Sequence, residues 1–180
     1  MIITISGLAG TGTTSLSAAL SNILGFEYIY AGKIFRDEAK KLNMEIGEFA
    51  EYLSNHPDLD RAIDYRMIEF AQTHTHSILE GRLSAWMVHK QNIPALKILL
   101  RVPLDISAQR VADRDEIDYK EAMFRVKNRD SIDRERYLKL YNIDINDSSV
   151  YDIIFDTSRC SLEEEILAVE SIARTRLSHI

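Results

Sequence analysis

The chain has little cysteine and no long apolar run, and each shortage excludes a class of protein. Its single cysteine, Cys160, excludes an intrachain disulfide framework and is typical of a reducing compartment. The most apolar internal stretch, IPALKILLRVPL, contains Lys97 and Arg101, so a membrane-spanning helix is not expected. The opening run MIITISG is too short for a signal peptide. These features predict a soluble, cytoplasmic protein with no membrane partner.

Positive charge is also in short supply. The chain has 22 Lys and Arg residues against 28 Asp and Glu, for a formal net charge of −6. A general nucleic-acid binder carries a basic surplus, so nucleic acid is not an expected partner. The length of 180 residues, 46% of them hydrophobic, suits one core, and no repeat or Pro/Gly-rich linker divides the chain. We expect a single domain over residues 1–180, and a monomer.

Short apolar runs alternate with longer amphipathic stretches, which is typical of βα units on a parallel sheet. The predicted fold class is therefore α/β. Strands are predicted at residues 2–6, 27–30, 77–80, 95–101 and 151–156. Helices are predicted at residues 13–24, 32–42, 46–53, 58–72, 82–89, 105–115 and 162–177. A strongly charged helical segment lies between the last two strands, at about residues 116–142, and we interpret it as a lid over the sheet.

The first predicted strand leads into the segment GLAGTGTTS, which opens the first helix. Its glycines let the backbone approach an anion, and the helix N-terminus adds a positive dipole end. We interpret this segment, residues 7–15, as a phosphate loop. Thr14 occupies the position whose hydroxyl binds Mg²⁺ in such loops. The predicted nucleotide-binding residues are Gly7, Leu8, Ala9, Gly10, Thr11, Gly12, Thr13, Thr14 and Ser15.

Thr13 departs from the pattern G-x-x-x-x-G-K-[ST], which has lysine at this position. The lysine normally places a positive charge near the β and γ phosphates, and a threonine cannot do so. Two hypotheses follow. Either other cations compensate, Lys33 being one candidate, or the chain binds nucleotide without kinase activity, as a regulatory protein would.

The segment from Arg110 to Tyr141 is rich in arginine. On a helix, Arg125, Arg129, Asp133 and Arg136 share one face, because they are spaced by four, four and three residues. Like charges at this spacing repel one another unless an anion lies between them, and arginine suits phosphate. These four residues are therefore the candidate catalytic group.

The same segment has a second arginine pair and a simpler interpretation. Arg110 and Arg114 lie one turn apart and share a face of the preceding helix. The alternative to phosphate binding is a solvated helix with internal ion pairs. The pairs expected in that case are Glu121 with Arg125 and Asp130 with Arg134.

The motifs AGKIFR and ILEGR follow the second predicted strand and close the third. In an open α/β sheet, ligands bind beyond the carboxyl ends of the strands, so both motifs should face the phosphate loop. Glu80 is a candidate partner for Mg²⁺-bound water, and Arg36 and Arg82 for a second phosphate. As alternatives, Arg36 could pair with Asp37 or Glu38, and Glu80 could cap the next helix. The candidate acceptor-binding residues here are Gly32, Arg36, Gly81 and Arg82.

Taken together, these motifs resemble the nucleoside monophosphate kinases, and most closely the archaeal type of cytidylate kinase. The resemblance covers nearly the whole chain and rests on MIITISGLAGTGTTS, AGKIFRDEAK, HPDLDRAIDYR, LEGRLSAWM, NRDSIDRERY and IDINDSSVYDIIFDTS. It implies a three-layer P-loop kinase fold with a five-stranded parallel sheet. It also implies a helical insert for the monophosphate at about residues 31–73 and the arginine-rich lid. The implied reaction is ATP-dependent phosphorylation of CMP, and of dCMP, with Mg²⁺.

The resemblance also assigns roles to residues. It implies that Arg36 and Arg82 hold the acceptor, and that the pattern R-x-x-x-D-x-x-R of the lid contacts CMP and the transferring phosphate. It implies that Arg110 and Arg114 meet the adenine and the ATP phosphates, beside the DTSRC segment. In the insert, it implies contacts from Asp60, Arg61 and Asp64. Other acceptors remain open at this point: UMP, AMP, or a small alcohol such as shikimate.

Overall fold

The structure is a computed structural model that describes residues 1–178, without the side chains at positions 46, 47, 50 and 54. Its described part contains five strands and eight helices. The strands are β1 (Ile2–Gly7), β2 (Glu27–Tyr30), β3 (Ser77–Glu80), β4 (Ala95–Arg101) and β5 (Ile153–Asp156). The helices are α1 (Thr13–Leu24), α2 (Ala31–Lys41), α3 (Ile46–Ser54), α4 (Pro57–Thr73), α5 (Ser84–Lys90), α6 (Leu104–Asp115), α7 (Tyr119–Tyr141) and α8 (Leu162–Leu177).

The five strands form one parallel sheet in the order β2-β3-β1-β4-β5. This confirms the predicted α/β fold with a five-stranded parallel sheet. Three strands have the predicted bounds, and β5 begins at Ile153, two residues later than predicted. The delay has a local cause, because Tyr151 closes a turn by donating its amide to the Ser148 carbonyl at 3.2 Å.

Side chains of the central strands alternate between two apolar layers, as the pleat of a strand requires. On one face, Ile3 and Ile5 pack with Leu16 and Leu20 of α1, and with Val169 of α8. The opposite face packs against the helices between β2 and β3, through Ile2, Leu79, Ile34, Phe49 and Met67. Helices therefore cover both faces of the sheet, which leaves the strand ends as the place for a site.

Helices α2, α3 and α4 lie between β2 and β3, in the segment assigned to the monophosphate-binding insert. The segment interpreted as a lid contains one long helix, α7, of 23 residues, which we call the lid helix. Asp118 starts it, because its side chain accepts a hydrogen bond from the Lys120 amide at 2.8 Å. Within residues 1–178, no helix is both long enough and apolar enough to cross a bilayer.

Candidate active site

The phosphate loop is fixed by two left-handed glycines and by contacts with α6. Gly10 and Gly12 have φ angles of 71° and 93°, which favour glycine. A Cβ atom on Gly10 would lie 2.7 Å from the Ser107 carbonyl oxygen, so glycine is also required sterically. The Ser107 hydroxyl donates to the Ala9 carbonyl at 2.6 Å. The loop is thus held in place while the first amides of α1, which lack helical acceptors, remain available to an anion.

Glu80, at the end of β3, lies against the start of α1. Its Oε1 atom accepts hydrogen bonds from the hydroxyls of Thr13, at 2.8 Å, and Thr14, at 2.7 Å. Its Oε2 atom accepts a hydrogen bond from the Tyr28 hydroxyl. Glu80 therefore does not cap α5, whose N-cap residue is Leu83 and has no side-chain cap. Instead, the carboxylate stands beside the hydroxyl that was predicted to bind Mg²⁺.

This donor set suits a magnesium ion. A threonine hydroxyl and a carboxylate are hard oxygen ligands, and Mg²⁺ in kinases is usually held by one or two carboxylates together with substrate phosphates. Among residues 1–178, no group of three or more His, Cys, Asp or Glu side chains forms a metal cage. The site therefore fits a magnesium ion that arrives with a nucleotide. Thr14 would hold this ion, as would Glu80 by way of water.

Tyr28 is a residue that the sequence analysis missed. Burial raises the pKa of its phenol, and the neighbouring Glu80 carboxylate raises it further, so the hydroxyl stays protonated and remains a donor. The signal was available in the alternation of Tyr28 and Tyr30 on β2. Because β2 pairs with β3 so that Tyr30 lies opposite Glu80, all three side chains project from one face of the sheet.

Arg36 contacts a tyrosine rather than a carboxylate. Its Nη2 atom donates to the Tyr30 hydroxyl at 3.1 Å, and its guanidinium carbon lies 5.3 Å from the centre of the Tyr30 ring. The alternative partners are occupied: Asp37 pairs with Lys33 at 2.5 Å, and Glu38 pairs with Lys41 and Arg66. Arg36 therefore does not form the alternative surface pair, whereas Lys33, in an exposed pair with Asp37, stays a prediction as a replacement cation.

Beyond the sheet edge, arginines and carboxylates from three chain segments meet in what we call the arginine cluster. The cluster consists of Asp60, Arg82, Arg129, Asp130, Asp133 and Arg136. Arg82, whose side chain is only 9% exposed, pairs with Asp130 at 2.7 Å and with Asp133 at 3.2 Å. Arg136 pairs with the buried Asp60 at 3.2 Å and with Asp133 at 3.8 Å. Asp133 thus orients two guanidinium groups.

The expected pairing of Asp130 with Arg134 is wrong. Asp130 turns toward Arg82, and Arg134 pairs with Asp144 at 2.9 Å. The physical reason is burial, because the nearly enclosed Arg82 guanidinium needs a carboxylate partner more than an exposed arginine does. Sequence spacing alone gave no sign of this partner, which lies 48 residues away.

Arg129 is the member of the cluster without a partner. Within residues 1–178, its side chain makes no hydrogen bond or ion pair. Desolvation lowers the pKa of its guanidinium, and the positive charge of Arg82 lowers it further. A cation crowded by another cation is stabilised by an anion, so Arg129 and Arg82 mark a place for a phosphate.

Two buried carboxylates lie beneath the lid helix. Asp60 is 2% exposed and Asp64 is 8% exposed. Burial raises the pKa of both, and that of Asp64 to about 6, although the Tyr141 hydroxyl donates to Asp64 at 2.8 Å. The candidate site therefore has an acidic wall facing its arginines.

Arg110 ties the phosphate loop to the segment after β5. Its Nη1 atom donates to the Gly10 carbonyl at 3.1 Å and to the Thr157 hydroxyl at 2.8 Å. Its Nη2 atom donates to the Thr157 carbonyl at 2.7 Å. The structure thus brings the DTSRC segment beside the loop, which was expected of a surface that borders adenine.

Besides Arg36 and Arg110, three of the predicted site arginines lie outside the arginine cluster. They form exposed ion pairs: Arg61 with Asp58 at 3.3 Å, Arg114 with Asp115 at 2.7 Å, and Arg125 with Glu121 at 2.7 Å. Such pairs contribute little to stability and separate easily. The last of them is the pair expected of a simple solvated helix, so that interpretation holds for this one position of α7.

A model of the cytidylate kinase-like family matches residues 2–159. The chain belongs to this family. Among curated members, the cytidylate kinase of Pyrococcus abyssi is 43% identical over 180 residues, which span 100% of this chain and 95% of that protein. The cytidylate kinase of Methanocaldococcus jannaschii is 40% identical over 164 residues, 91% of this chain and 92% of that protein. The resemblance stated from the motifs is thereby confirmed.

Solved structures support the fold. A shikimate kinase from Bacteroides thetaiotaomicron superposes with a TM-score of 0.62, over 97% of this chain and 98% of that chain, at 16% identity. An uncharacterised protein from Eubacterium ventriosum superposes with a TM-score of 0.67 at 17% identity. At such low identity the likeness concerns the fold, which is the predicted P-loop kinase fold.

Proposed function

We propose that this protein transfers the terminal phosphoryl group of ATP to CMP, and to dCMP, forming ADP and the corresponding diphosphate. Membership of the cytidylate kinase-like family supports the reaction, since close relatives over the full chain are cytidylate kinases. One structural observation carries the proposal to this chain. The phosphate loop and a separate arginine cluster, with the unpaired Arg129, lie at the same edge of the sheet, as two phosphate sites would.

On the donor side, the amides of residues 7–15 hold the ATP phosphates, and Arg110 and the segment after β5 border the adenine. Mg²⁺, when bound, neutralises charge on the outer phosphates. Thr14 and, through water, Glu80 are the residues that would hold the ion, and their 2.7 Å hydrogen bond places the two side chains together. The hydroxyl of Thr13 holds Glu80 in this position instead of supplying a charge.

On the acceptor side, Gly32, Arg36, Gly81 and Arg82 surround the phosphate of CMP. Arg36 is suited to this role because it has a neutral partner, the Tyr30 ring, and keeps its charge for an anion. Asp60 lies in the acidic wall, where a carboxylate can accept a hydrogen bond from an exocyclic amine such as that of cytosine. Arg61 is exposed and reaches the acceptor only if the insert moves.

Catalysis in this proposal depends on positioning and charge. The transition state spreads negative charge over the transferring oxygens, where Arg129 and Arg136 stabilise it, and Asp133 orients Arg136. No general base is required, because the acceptor is already a phosphate anion. Movement of the lid helix brings Arg125 inward from its exposed pair with Glu121, and closure excludes water from ATP. Arg114 similarly leaves Asp115 for the ATP phosphates.

The alternative is a regulatory protein that binds nucleotide without transferring phosphate. Thr13 was its support, and the structure gives that residue another role as a hydrogen-bond donor to Glu80. A nucleotide sensor also has no need of a second phosphate site at Arg36 and Arg82. We further propose that the kinase acts as a monomer in the cytoplasm, in pyrimidine nucleotide metabolism.

The decisive experiment measures ADP formation from ATP and Mg²⁺, with CMP, dCMP, UMP, AMP, shikimate and no acceptor in parallel. We expect the fastest turnover with CMP, turnover with dCMP, and none without an acceptor. If ATP binds and no acceptor is phosphorylated, the protein is a nucleotide sensor and the kinase proposal is wrong. If the protein prefers UMP, AMP or shikimate, the proposed kinase activity stands but the proposed acceptor is wrong.

A further inference from the structure

Two tyrosines of β2 connect the donor side of the site with the acceptor side. Tyr28 and Tyr30 are two residues apart, so both project from the same face of the strand. Their rings stack with centroids 5.5 Å apart and an angle of 24° between the ring planes. Each hydroxyl contacts a different charged side chain of the candidate site. One of these side chains lies on the side of the nucleotide donor, and the other lies on the side of the acceptor.

At the donor end, the Tyr28 hydroxyl donates to Oε2 of Glu80, while Oε1 accepts from Thr13 and Thr14. The carboxylate is therefore held through both oxygens. A phenol is protonated at neutral pH, so Tyr28 is the donor in this contact. Loss of this hydroxyl leaves Oε2 without its donor and lets the carboxylate rotate.

At the acceptor end, the Tyr30 hydroxyl accepts from Nη2 of Arg36, and the guanidinium lies over the Tyr30 ring. Gly32 packs beside this contact, where a Cβ atom would make ordinary van der Waals contacts, 3.6 Å from the ring and 3.5 Å from Nη1 of Arg36. Arg36 forms no ion pair with any residue in the range 1–178. Its charge is thus positioned without being neutralised.

We infer that Tyr28 and Tyr30 are positioning residues that hold Glu80 for the metal-bound nucleotide and Arg36 for the acceptor phosphate. A tyrosine pair suits both tasks because it is neutral. A carboxylate at position 30 would compete with the acceptor phosphate for Arg36, and a cation at position 28 would compete with the metal for Glu80. The roles of the two ends rest on the proposed function.

Tyr28→Phe tests the donor end, because it removes the hydroxyl and keeps the ring. The probe is Mn²⁺ with a non-hydrolysable ATP analogue, measured by electron paramagnetic resonance as the free Mn²⁺ that remains. We expect about fivefold weaker Mn²⁺ binding to the nucleotide complex, from loss of a hydrogen bond to a charged group. The Mg²⁺ concentration for half-maximal turnover should rise in parallel, with the KM for CMP unchanged.

Tyr30→Phe tests the acceptor end in the same way. We expect the KM for CMP, and its dissociation constant by calorimetry, to rise about fivefold, since Arg36 loses one fixed contact. The value of kcat should stay within about twofold, and Mn²⁺ binding should not change. Tyr65→Phe is the matched control, because this tyrosine of α4 is 51% exposed and lies outside the site.

The pattern of effects decides the inference. Two variants that match the wild type, or two that shift both substrates equally, overturn it and leave only a packing role for the rings. Thermal unfolding followed by circular dichroism shows whether either variant has lost the fold. If Tyr28→Phe does not fold, the wild-type chain with 3-fluorotyrosine at position 28 is used in its place. The fluorine resonance should shift when Mg²⁺ and ATP bind. The absence of a shift would overturn the inference for the donor end.

The proposed function fails separately from this inference. If the wild type turns over CMP and both variants behave like the wild type, the proposed kinase function stands and the inference about the tyrosine pair is wrong. A wild-type chain that does not turn over CMP loses the kinase, while weaker Mn²⁺ binding by Tyr28→Phe still supports the donor end. A wild-type chain that binds neither Mn²⁺ with nucleotide nor CMP overturns both.

Discussion

The phosphate loop and the arginine cluster handle the same anion in opposite ways. Residues 7–15 include no charged side chain, so the loop binds phosphate through amides, hydroxyls and the dipole of α1. The cluster contains three arginines and three aspartates, drawn from α4, the turn after β3 and the lid helix. The loop is continuous in sequence, whereas the cluster exists only after folding.

The comparison shows where the positive charge of a phosphoryl-transfer site can reside. In a loop with lysine, the cation is always present at the phosphates. Here the loop carries no cation, its Thr13 hydroxyl is bonded to Glu80, and two of the three cluster arginines, Arg129 and Arg136, stand on the lid helix. The site should therefore bind ATP without being able to stabilise the transition state until the lid helix closes, which limits wasteful hydrolysis.

The largest expected effect is that of Arg129→Ala. If the cluster supplies the charge that the loop lacks, kcat should fall about 100-fold or more, as for other arginines that act on a transferring phosphoryl group. The dissociation constant of ATP should change less than about threefold, because amides of the loop hold the ground state. Steady-state kinetics and calorimetry give the two quantities.

Arg134→Ala is the matched control for this variant. Arg134 lies on the same helix but forms an exposed pair with Asp144, away from the cluster, so both quantities should stay near those of the wild type. Equal losses of kcat and of ATP affinity in Arg129→Ala would contradict the hypothesis that the loop binds ATP and the cluster stabilises the transition state.

The second prediction concerns the acidic wall beneath the lid helix. The pKa of Asp64 is raised from 3.8 to about 6 in the folded state. Between these values the folded state keeps a proton that the unfolded state releases, so the free energy of unfolding falls as pH rises through this window. The total loss is about 3 kcal/mol, complete above the folded pKa and absent below the unfolded one.

Asp64→Asn should remove this dependence. The variant should be more stable than the wild type at neutral pH, and the difference should vanish as pH approaches 3.8. Thermal unfolding at several pH values measures it. Asp58→Asn is the control, since the Asp58 side chain is 96% exposed. If the difference in stability between Asp64→Asn and the wild type is the same at all pH values, the charge of Arg136 already balances the carboxylate of Asp64, and the prediction is wrong.

A smaller effect is expected of Arg110→Ala. Arg110 bonds to Gly10 and Thr157, so its removal disconnects the loop from the segment beside the adenine. We expect the dissociation constant of ATP to rise about tenfold while kcat at saturating ATP falls less than about threefold, the reverse of Arg129→Ala. Gln109→Ala on the same helix is the control, because among the described residues the Gln109 side chain makes one hydrogen bond, an exposed one to Asp113. A loss confined to kcat would place Arg110 with the cluster.

The smallest effect is expected of Thr13→Lys. The hydroxyl of Thr13 lies 2.8 Å from Oε1 of Glu80, so an introduced lysine would pair with this carboxylate before it reached a phosphate. We expect no gain in kcat, and a fall of up to about threefold at saturating Mg²⁺, because the new ion pair competes with the metal for Glu80. Thr13→Ala removes the hydroxyl without adding charge and isolates the effect of the lysine. A tenfold gain in kcat would mean that the loop does lack its cation.

Local patterns in the sequence were sufficient for the elements of the fold. The bounds of α1, α8 and three strands follow from hydrophobic periodicity and from glycine at the turns, because both act within a few residues. The phosphate loop and the proximity of Glu80 follow as well, since parallel strands bring their carboxyl ends to one edge.

Spacing could not decide which arginines form the site. Helical spacing placed Arg125 and Arg129 on one face, yet Arg125 pairs with Glu121 and Arg129 has no partner within the described chain. The difference depends on what lies opposite each residue, in this case Arg82, which is far away in sequence. The same limit hid Asp130 as a partner of Arg82 and the role of Tyr28 at Glu80.

The sequence by itself determined the succession of strands and helices along the chain. It also determined the position of the phosphate loop and showed that threonine replaces its lysine. It could do so because propensity, periodicity and loop motifs are short-range properties. Only the tertiary structure decided where the compensating charge lies, and which carboxylates hold it in place. Ion pairs and buried carboxylates depend on burial and on neighbours from distant segments, and these arise only when the chain has folded around its sheet.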